Sequence, residues 1–478
     1  MIVNGLPHLE ILSEDAVQTI DRGWRRLVSE IGVQFLDPRA LEAFRAAGQR
    51  VEEDVVLFDP AFIDEQVALA PPVFTLHARN PSRDLVIGGA NAACCPVQGP
   101  PFVRRGVERR DATLADFSNF CRLSQTLDEI DTAGGAPCEP GDRPLDSRHL
   151  DMQLELLTAT DKPYMGSQVS EVAARDSVAL ARIAVGDAVD AHPYLYTVIN
   201  VNSPLRYDER MLGALFVYAE AGQAVVVTPF LLMGAMAPVT IPAALAQQLA
   251  EALAGIALVQ LIRPGCPVVL GSFLSNTDMQ NGSPGFGGPE SFLGLLCSGQ
   301  LARHYGLPWR SGGGALTSSP LPDAQAAYEG MNTMLPALLG GANLVLHVAG
   351  WLEGGLVADY EKFMLDIEML RVLKEELRPL DVDDASLAYD AHAEVRHGGH
   401  FLGAVHTLER FRHCFYRPLV STTANFERWT RDGALDARAR ASLLVDEVLA
   451  RYEPPPLDDA VRAELREYVD RRRTELGD

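Results

Sequence analysis

From about Asp131 the chain alternates short apolar segments with longer amphipathic ones, and this alternation restricts the fold more than any other feature. Short apolar runs that end in Gly, Pro, Asn or Ser clusters predict buried strands, and the segments between them have helical spacing. Strands that alternate with helices pair in parallel through right-handed crossovers. The strand candidates are IDTAGGAP, KPYMGSQV, PYLYTVINVN, AVVVTPFLLMG, CPVVLGSFL, LPWRSGGGAL and NLVLHVAG.

Seven or eight strand–helix units fit a closed (β/α)8 barrel of the TIM type better than an open doubly wound sheet. The candidate for the eighth strand is GGHFLGA, near residue 400. The texture of the sequence predicts three regions. Residues 1–130 form a helical-plus-β layer that packs on the barrel, residues 131–420 form the barrel, and residues 421–478 form a C-terminal helical extension.

Composition excludes several classes of function. The net charge of −23 disfavours nucleic acid and anionic membranes as partners, because phosphate binding needs clustered Lys and Arg. Seven scattered cysteines without a CxxC pair, and an N-terminus without a signal-peptide pattern, predict a cytoplasmic protein with reduced thiols. The uncharged run from Ala221 to Ala250 could span a membrane by length, but its prolines and glutamines predict a strand, a loop and a helix instead.

In a barrel enzyme the active site lies at the carboxyl ends of the strands. The side chains that follow the predicted strands are therefore the site candidates. They are Glu139, Gln168, Asn200, Asn202, Phe230, the stretch 272–278, Gly312 to Gly314 and His347.

His347 ends the apolar strand NLVLHVAG. A neutral imidazole there can act as a base, orient a carboxylate or donate to a developing charge. The alternative is a core histidine bonded to a carbonyl group. The position at a strand end favours a catalytic role.

Two loops provide further candidates with equally plausible structural roles. Asp278, in the Gly-rich loop SNTDMQNGSPGFGGPE, could hold a cationic group or could cap its own loop. Gly313, in the RSGGGAL segment, could let the backbone approach a bulky ligand or could serve a flexible turn.

Four aromatic residues lie at predicted strand ends: Phe230, Phe273, Trp309 and Trp351. Aromatic faces attract a quaternary ammonium group, which can neither donate nor accept hydrogen bonds. Each ring taken alone fits a core position equally well. The tail histidines, in HAEVRHGGH and beyond, do not match HExxH and have no Cys pair beside them, so no tightly bound metal is expected.

Several long segments together resemble the trimethylamine methyltransferase family. They include PFLLMGAMAPVTIPAALAQQLAEALAGIALVQLIRPGCPVVLGSF, PWRSGGGALTSSPLPDAQAAYEGMNTMLPALLGGANLVLHVAGWLEGGL, YEKFMLDIEML, GGHFLGAVHTLERFR and YEPPPLDD. The resemblance implies a (β/α)8 barrel that transfers a methyl group from a methylamine or quaternary amine to the Co(I) of a corrinoid protein. It also implies a tendency to form homo-oligomers.

Trimethylamine enzymes of this family carry pyrrolysine, which is absent from this sequence. The resemblance therefore favours the non-pyrrolysine branch, exemplified by glycine betaine demethylation, whose strand-end histidine matches His347. In this interpretation His347 orients the polar end of the substrate, and Trp351, Phe230 and Asp278 surround its ammonium group. Two alternatives remain open: a zinc- or folate-dependent barrel methyltransferase, and a non-catalytic protein that binds quaternary amines.

Overall fold

The structure is a computed structural model and describes residues 1–477. Its strands are mostly short, and several contain only two or three residues. In chain order they are β1 (Ile2–Val3), β2 (Val33–Phe35), β3 (Arg50–Glu52), β4 (Val55–Leu57), β5 (Phe74–Leu76), β6 (Leu85–Ile87), β7 (Asn91–Cys94), β8 (Phe102–Arg105), β9 (Glu108–Asp111), β10 (Tyr164–Met165), β11 (Leu195–Val201), β12 (Arg206–Tyr207), β13 (Ala224–Met233), β14 (Val268–Thr277), β15 (Pro284–Gly285), β16 (Trp309–Ser311), β17 (Leu344–Val345), β18 (Trp351–Leu352) and β19 (Val357–Asp359).

The helices make up most of the rest. They are α1 (Glu14–Arg26), α2 (Pro38–Ala46), α3 (Pro60–Val67), α4 (Leu114–Thr126), α5 (Arg148–Ala159), α6 (Glu171–Val185), α7 (Ala188–Ala191), α8 (Glu209–Glu220), α9 (Ile241–Ile262), α10 (Pro289–His304), α11 (Ala324–Leu339), α12 (Tyr360–Glu376), α13 (Tyr389–Val395), α14 (Val405–Cys414), α15 (Phe426–Arg431), α16 (Ala437–Ala450) and α17 (Asp459–Glu475). A π-helical turn spans Leu27–Ile31, and 3-10 turns span Pro81–Arg83, Glu353–Gly355 and Phe401–Gly403.

The main sheet is a curved parallel sheet with the strand order β7-β17-β16-β14-β13-β11-β10. Strand β1 adds to β7 in antiparallel orientation, and β15 pairs with the end of β14. Neighbouring strands keep a regular register, for example Ile199 opposite Val227 and Val227 opposite Leu270. The fold is thus a mixed α/β half-barrel wrapped by helices, and the predicted α/β class with parallel strands is confirmed.

The two edges of this sheet, β7 and β10, are joined by residues 131–134, which form part of the first predicted strand. The amides of Asp131 and Thr132 both donate to the Cys94 carbonyl, at 2.9 and 3.2 Å. On the other side, Met165 N donates to the Gly134 carbonyl at 2.9 Å. Strand β7, which the sequence analysis placed in the N-terminal layer, therefore belongs to the main sheet.

Four of the helices that follow strands begin at capping side chains. Ser170, Asp208, Asp323 and Asp359 accept hydrogen bonds from the third residue beyond them, at the starts of α6, α8, α11 and α12. Such caps satisfy backbone amides that have no partner inside the helix.

Helix α9 is the one helix of the described residues that is long and apolar enough to cross a membrane, and 89% of its apolar window is buried. One side of it contacts β13 and β14, and the other contacts α1 and α3 of the N-terminal layer. Burial on all sides explains why it is apolar all round. The predicted succession of strand, loop and helix is confirmed by β13 and α9.

The predicted eighth strand, GGHFLGA, is wrong. Phe401–Gly403 form an exposed 3-10 turn, and neither this turn nor its neighbours pair with the sheet. Because Gly398, Gly399 and Gly403 have no side chain to bury, the segment cannot supply a core strand. Of the C-terminal helices, α16 packs on α12 and α4, and α17 packs on α5 and α6.

Candidate active site

A cavity of about 500 Å³ opens at the carboxyl ends of the strands, where barrel enzymes bind their substrates. Its lining comes from the segments after β7, 131–134, β10 and β17, from strands β10, β11 and β16, and from α5 and the start of α8. The residues are Gln98, Gly99, Gly135, Ala136, Glu139, Leu145, Asp146, Arg148, His149, Met152, Gln153, Met165, Gly166, Ser167, Gln168, Val169, Ser170, Val198, Asn200, Arg210, Arg310, Leu346 and His347.

His347 forms part of the cavity wall two residues beyond β17 and is buried. Its backbone has a φ of +62°, in the left-handed region. Such a conformation in a non-glycine residue costs roughly 1–3 kcal/mol and is typical of functional sites. The turn aims the imidazole into the cavity.

The His347 ring lies between two hydrogen-bond donors. The Gln98 amide donates to Nδ1 at 3.2 Å, and a guanidinium nitrogen of Arg310 lies 3.4 Å from Nε2. Burial, together with the positive charge of Arg310, holds the pKa of His347 well below its usual value, so the ring is neutral. A neutral imidazole has one acceptor nitrogen. In either tautomer one of the facing N–H groups therefore lacks an acceptor on the ring.

Arg310 is 3% exposed and points into the same cavity from the middle of β16. Its guanidinium donates to the Ser272 carbonyl at 3.1 Å, while its Nε has no partner among residues 1–477. Burial lowers the pKa of Arg310 to about 10, so it stays charged at neutral pH. Within the described chain it forms no ion pair. A buried, uncompensated guanidinium is costly unless an anion binds to it.

The backbone around His347 is held by contacts that allow little movement. The Ala315 amide donates to the His347 carbonyl at 2.8 Å, and Gly314 approaches so closely that a Cβ atom there would lie 2.3 Å from that carbonyl group. Behind it, the buried ion pair of Lys362 and Asp366 reaches both sides of the turn. Asp366 accepts from the Gly350 amide at 2.9 Å, and Lys362 donates to the Ala315 carbonyl at 3.3 Å.

One side of the cavity mouth is polar, and we call Gln98, Glu139, Gln168 and Asn200 the polar half. All four line the cavity. Glu139 forms an ion pair of 2.6 Å with Arg148, and burial nevertheless raises the pKa of this carboxyl group. Glu139 and Gln168 therefore lie on neighbouring loops around one cavity.

The other side consists of rings, and we call Phe230, Phe273, Phe286 and Trp351 the aromatic half. Phe273 lies at its centre, with ring centroids 4.6 Å from Phe230, 5.7 Å from Phe286 and 6.3 Å from Trp351. The Trp351 ring meets the His347 ring edge to face at 4.5 Å. Phe230, Phe273 and Trp351 thus come together in one cluster, but they pack within it and do not line the cavity.

Trp309 lies elsewhere. Successive residues of a strand point to opposite faces, so Arg310 points into the cavity and Trp309 points outward. The Trp309 ring packs on α10, where a Cβ on Gly299 would lie 2.8 Å from it, and its indole donates to the Ser272 hydroxyl at 2.8 Å. It is a core residue between sheet and helices.

Three other predicted residues have local structural roles. Asp278 is exposed, and its carboxylate accepts from the Gln280 amide and the Asn281 side chain inside its own loop. Asn202 exchanges hydrogen bonds with Asp208 at the start of α8. A Cβ on Gly313 would lie 2.5 Å from Leu295, so this glycine serves helix packing and not the cavity.

The tail histidines considered as zinc ligands do not converge. His392, His397, His400 and His413 are exposed, and His406 is half-buried. Within residues 1–477, no group of three or more His, Cys, Asp or Glu side chains is arranged to hold a metal ion.

Arg310 and Gln98 are two residues of the site that were not predicted from the sequence. Arg310 had a signal: a single arginine between Trp309 and Ser311 in an apolar strand must point into the barrel if Trp309 points out. Gln98 had none, because its contact with His347 is through the backbone amide and joins residues 249 positions apart.

Comparison with known proteins places this geometry in a family. The model of the family described as "Trimethylamine methyltransferase (MTTB)" matches residues 1–477. A glycine betaine methyltransferase from Desulfitobacterium hafniense (strain Y51) is 41% identical over 476 residues, which cover 99% of both chains. A proline betaine:corrinoid methyltransferase from Eubacterium limosum is 30% identical and covers 98% of this chain and 99% of its own.

Solved structures resemble the fold with little identity in sequence. The hydroxylamine complex of MtmB superposes with a TM-score of 0.52 at 10% identity, covering 98% of this chain and 89% of the other. The Methanosarcina barkeri monomethylamine methyltransferase (MtmB) gives a TM-score of 0.50, also at 10% identity, covering 99% and 89%. At this identity the likeness concerns the fold alone.

Proposed function

Because the chain belongs to the trimethylamine methyltransferase family, we propose that it demethylates a betaine, a quaternary amine with a carboxylate, and passes the methyl group to a corrinoid protein. The observation that carries the proposal is the buried, unpaired Arg310 beside a histidine that faces two donors. Trimethylamine has no anionic group to occupy that position. A betaine carboxylate would accept from both Arg310 and the neutral His347 ring, and would satisfy each.

The size of the cavity fits such a substrate. A volume of about 500 Å³ is suited to a small betaine, and a complete cobalamin, with its side chains and nucleotide loop, is larger than that. The corrinoid would therefore stay on its partner protein and approach the mouth from outside. When reduced, it supplies the Co(I) nucleophile that accepts the methyl group.

In this proposal the protein positions the substrate and supplies no nucleophile. Arg310 and His347 hold the carboxylate, and Glu139 and Gln168 of the polar half face the ammonium group. Fixing one end of the molecule leaves a methyl group directed at the mouth, which converts an encounter into an oriented attack. The aromatic half keeps water from the far side of His347, and a less polar site favours loss of the positive charge.

We also propose that the curved sheet closes into an eight-membered barrel, with residues 131–134 in the remaining position between β7 and β10. The hydrogen bonds from Asp131 to Cys94 and from Met165 to Gly134 support closure. The barrel then begins with β7 at Asn91 and not at residue 131.

The test is an assay of methyl transfer to chemically reduced cob(I)alamin, in which the absorption spectrum of the cobalamin is recorded over time. Purified protein would be offered glycine betaine, proline betaine, carnitine, choline and trimethylamine. We expect methylcob(III)alamin with at least one carboxylated compound and none with choline or trimethylamine. Transfer from trimethylamine but from no betaine would overturn the proposal. Binding of a betaine in calorimetry without transfer, even with corrinoid protein present, would indicate a binding protein instead.

The role of His347 has its own test. His347→Ala removes the ring from the carboxylate site, and we expect kcat/KM for the active betaine to fall about 100-fold, as for loss of a charge-assisted hydrogen bond. His347→Asn keeps a polar group and tolerates the positive φ, so its loss should be smaller. Wild-type turnover in His347→Ala would refute the assignment.

A further inference from the structure

Residues 379–415, which we call the arm, leave the body of the protein after α12 and include α13 and α14. Of these residues only Ala391 and Ala404 are buried. Large apolar side chains nevertheless recur along the arm, and Leu380 is 91%, Leu402 80% and Phe415 71% exposed. The full set is Leu380, Val382, Leu387, Tyr389, Phe401, Leu402, Val405, Leu408, Phe411 and Phe415.

This much exposed apolar surface requires a partner. An aromatic side chain alone carries roughly 150–250 Å², so the ten side chains together expose on the order of 1,000 Å². A standard protein–protein interface buries roughly 800 Å² on each partner, and single monomers rarely expose an apolar patch of this size. The arm is therefore large enough to form a stable interface by itself.

Charge on the arm is divided between its two parts. Residues 381–394 contain five acidic residues and no Lys or Arg. Residues 396–417, which run just past the arm, contain four arginines and one acidic residue, Glu409. Two copies related by a two-fold axis can place the acidic part of each against the basic part of the other. Such an isologous contact is the commonest kind in homo-oligomers.

A cavity of about 360 Å³ at the base of the arm lies on the basic side of this division. Arg371 and Arg378 are paired with Glu129 and Glu375, at 3.5 and 2.7 Å. Lys374 and Arg417 face the same cavity and form no ion pair within residues 1–477. In a chain of net charge −23, these two cations are available to an acidic group of a partner.

The location argues for a second copy and against the methyl acceptor. The Leu377 carbonyl accepts from the Gly5 amide, and the neighbouring Asn4 amide donates to Ala90, just before β7. The arm therefore leaves the protein at the amino-terminal ends of the strands. The candidate active site opens at the opposite ends, where the methyl acceptor has to approach.

We propose that the arm and the cavity at its base form a two-fold interface with a second copy of this chain. The acidic residues 381–394 of one copy bind the basic surface of Lys374, Arg412 and Arg417 on the other. The exposed apolar side chains of both arms are buried between them. Both active-site mouths stay open in this arrangement.

Charge reversal tests the proposal. An acidic-side variant would carry Asp384→Lys, Asp390→Lys and Glu394→Lys, and a basic-side variant would carry Lys374→Glu, Arg412→Glu and Arg417→Glu. Light scattering after gel filtration should give the wild type at least twice the chain mass of 51.9 kDa. Each variant alone should show about half the wild-type mass, because like charges then face each other twice.

Mixing the two variants in equal amounts is the decisive step, since every contact in the mixed pair is again between opposite charges. We expect the wild-type mass to return and methyl transfer per chain to stay within twofold of wild type throughout. A mixture that stays at half mass, or a wild type that is monomeric at all concentrations, would overturn the proposal. A monomeric wild type whose variants lose transfer to the corrinoid protein would assign the surface to that partner.

An apolar substitution provides an independent measurement with a matched control. Leu402→Ser together with Phe415→Ser should lower the assembly mass as the charge reversals do. Val239→Ser replaces a side chain that is 72% exposed but lies outside the arm, and it should leave the mass unchanged. Equal effects of the two would contradict a role specific to the arm.

Discussion

The polar and aromatic halves of the mouth lie side by side on one curved sheet, yet only one of them surrounds a cavity. In the polar half, amide and carboxyl groups stand apart and leave a volume of about 500 Å³. In the aromatic half, four rings fill the space with centroids 4.6 to 6.3 Å apart. Polar groups in a binding site need water or a ligand as hydrogen-bond partners, so they leave a cavity between them. Apolar rings are stabilised by packing against one another, because that removes their surfaces from water.

Each half also has a buried charge without a counterion, and the two differ in kind. Arg310 faces the cavity and remains ionised at neutral pH. Asp359, at the end of β19 beside the aromatic half, has one carboxyl oxygen with no partner among the described residues, and burial raises its pKa to about 7. Near neutral pH a carboxylate with a raised pKa can become neutral by taking up a proton. A guanidinium would have to lose a proton to become neutral, and it keeps that proton at this pH. The arginine alone therefore requires an anion from outside.

The largest effect is expected from a substitution beside the polar half, at Arg310. Arg310→Met keeps an unbranched side chain and removes the guanidinium charge. We expect kcat/KM for the active betaine to fall about 1,000-fold, equivalent to about 4 kcal/mol, because the carboxylate loses its buried cation. Steady-state kinetics would measure this. Thermal stability should not fall, since an uncompensated buried charge is removed.

Arg148→Met is the matched control, because Arg148 lines the same cavity but already has Glu139 as its partner. Its loss in kcat/KM should stay below about 10-fold, the range of a single neutral hydrogen bond. If the two variants lose the same amount, Arg310 has no special role.

The aromatic side should show the opposite pattern, with an effect on stability more than on catalysis. Phe273→Leu leaves a gap at the centre of the aromatic half and should lower the free energy of unfolding by about 1–2 kcal/mol. Chemical denaturation would measure it. Phe117→Leu, in the buried core of α4, should cost a similar amount and leave kinetics unchanged. A loss of kcat/KM in Phe273→Leu as large as in Arg310→Met would mean that the rings bind the substrate directly.

The smallest effect is expected at Asp359, the buried carboxyl group that can become neutral. The pKa of Asp359 is raised from 3.8 to about 7, so the folded state binds this proton more tightly than the unfolded state. The corresponding stability is complete below pH 4 and is lost as the pH rises through 7. Asp359→Asn can still cap α12 and cannot ionise. It should therefore be more stable than wild type at pH 8 by about 1 kcal/mol, with little difference at pH 5.

Unfolding curves across this pH range would decide the matter. Asp208→Asn provides the control, because Asp208 caps α8 in the same way from a half-buried position. The control measures what replacing a capping carboxylate by an amide does to the free energy of unfolding. A slope that persists in Asp359→Asn would show that another group titrates.

The sequence predicted the elements of the main sheet better than its connections. The seven predicted strand segments all lie in it or bridge its edges, because each is an apolar run between turn residues. Strand β7 escaped notice because a hairpin, β8 and β9, follows it and no helix marks it as a strand–helix unit. The segment GGHFLGA was predicted as the eighth strand instead of β7. It has the glycines that are typical of a strand end but lacks the apolar residues of a buried strand.

At the site, the sequence located the strand ends but could not tell which side chains point inward. Glu139, Gln168 and His347 line the cavity, whereas Asp278 and Asn202 satisfy the backbone and side chains of their own turns. A shift of one or two residues at a strand end decides whether a side chain points into the cavity or into its own turn. Only the pairing register fixes that, as it does for Trp309 and Arg310.

The distribution of lysines has a practical consequence. Of the three lysines in the sequence, Lys162 and Lys362 are buried and bonded, and Lys374 is exposed at the base of the arm. Lys162 donates to the carbonyl groups of Ser124, Leu127 and Ile130. An amine-reactive dye should therefore label the side chains of the native protein at a single position. Because that lysine lies in the proposed interface, its rate of labelling would report, without any engineered residue, whether two copies are assembled.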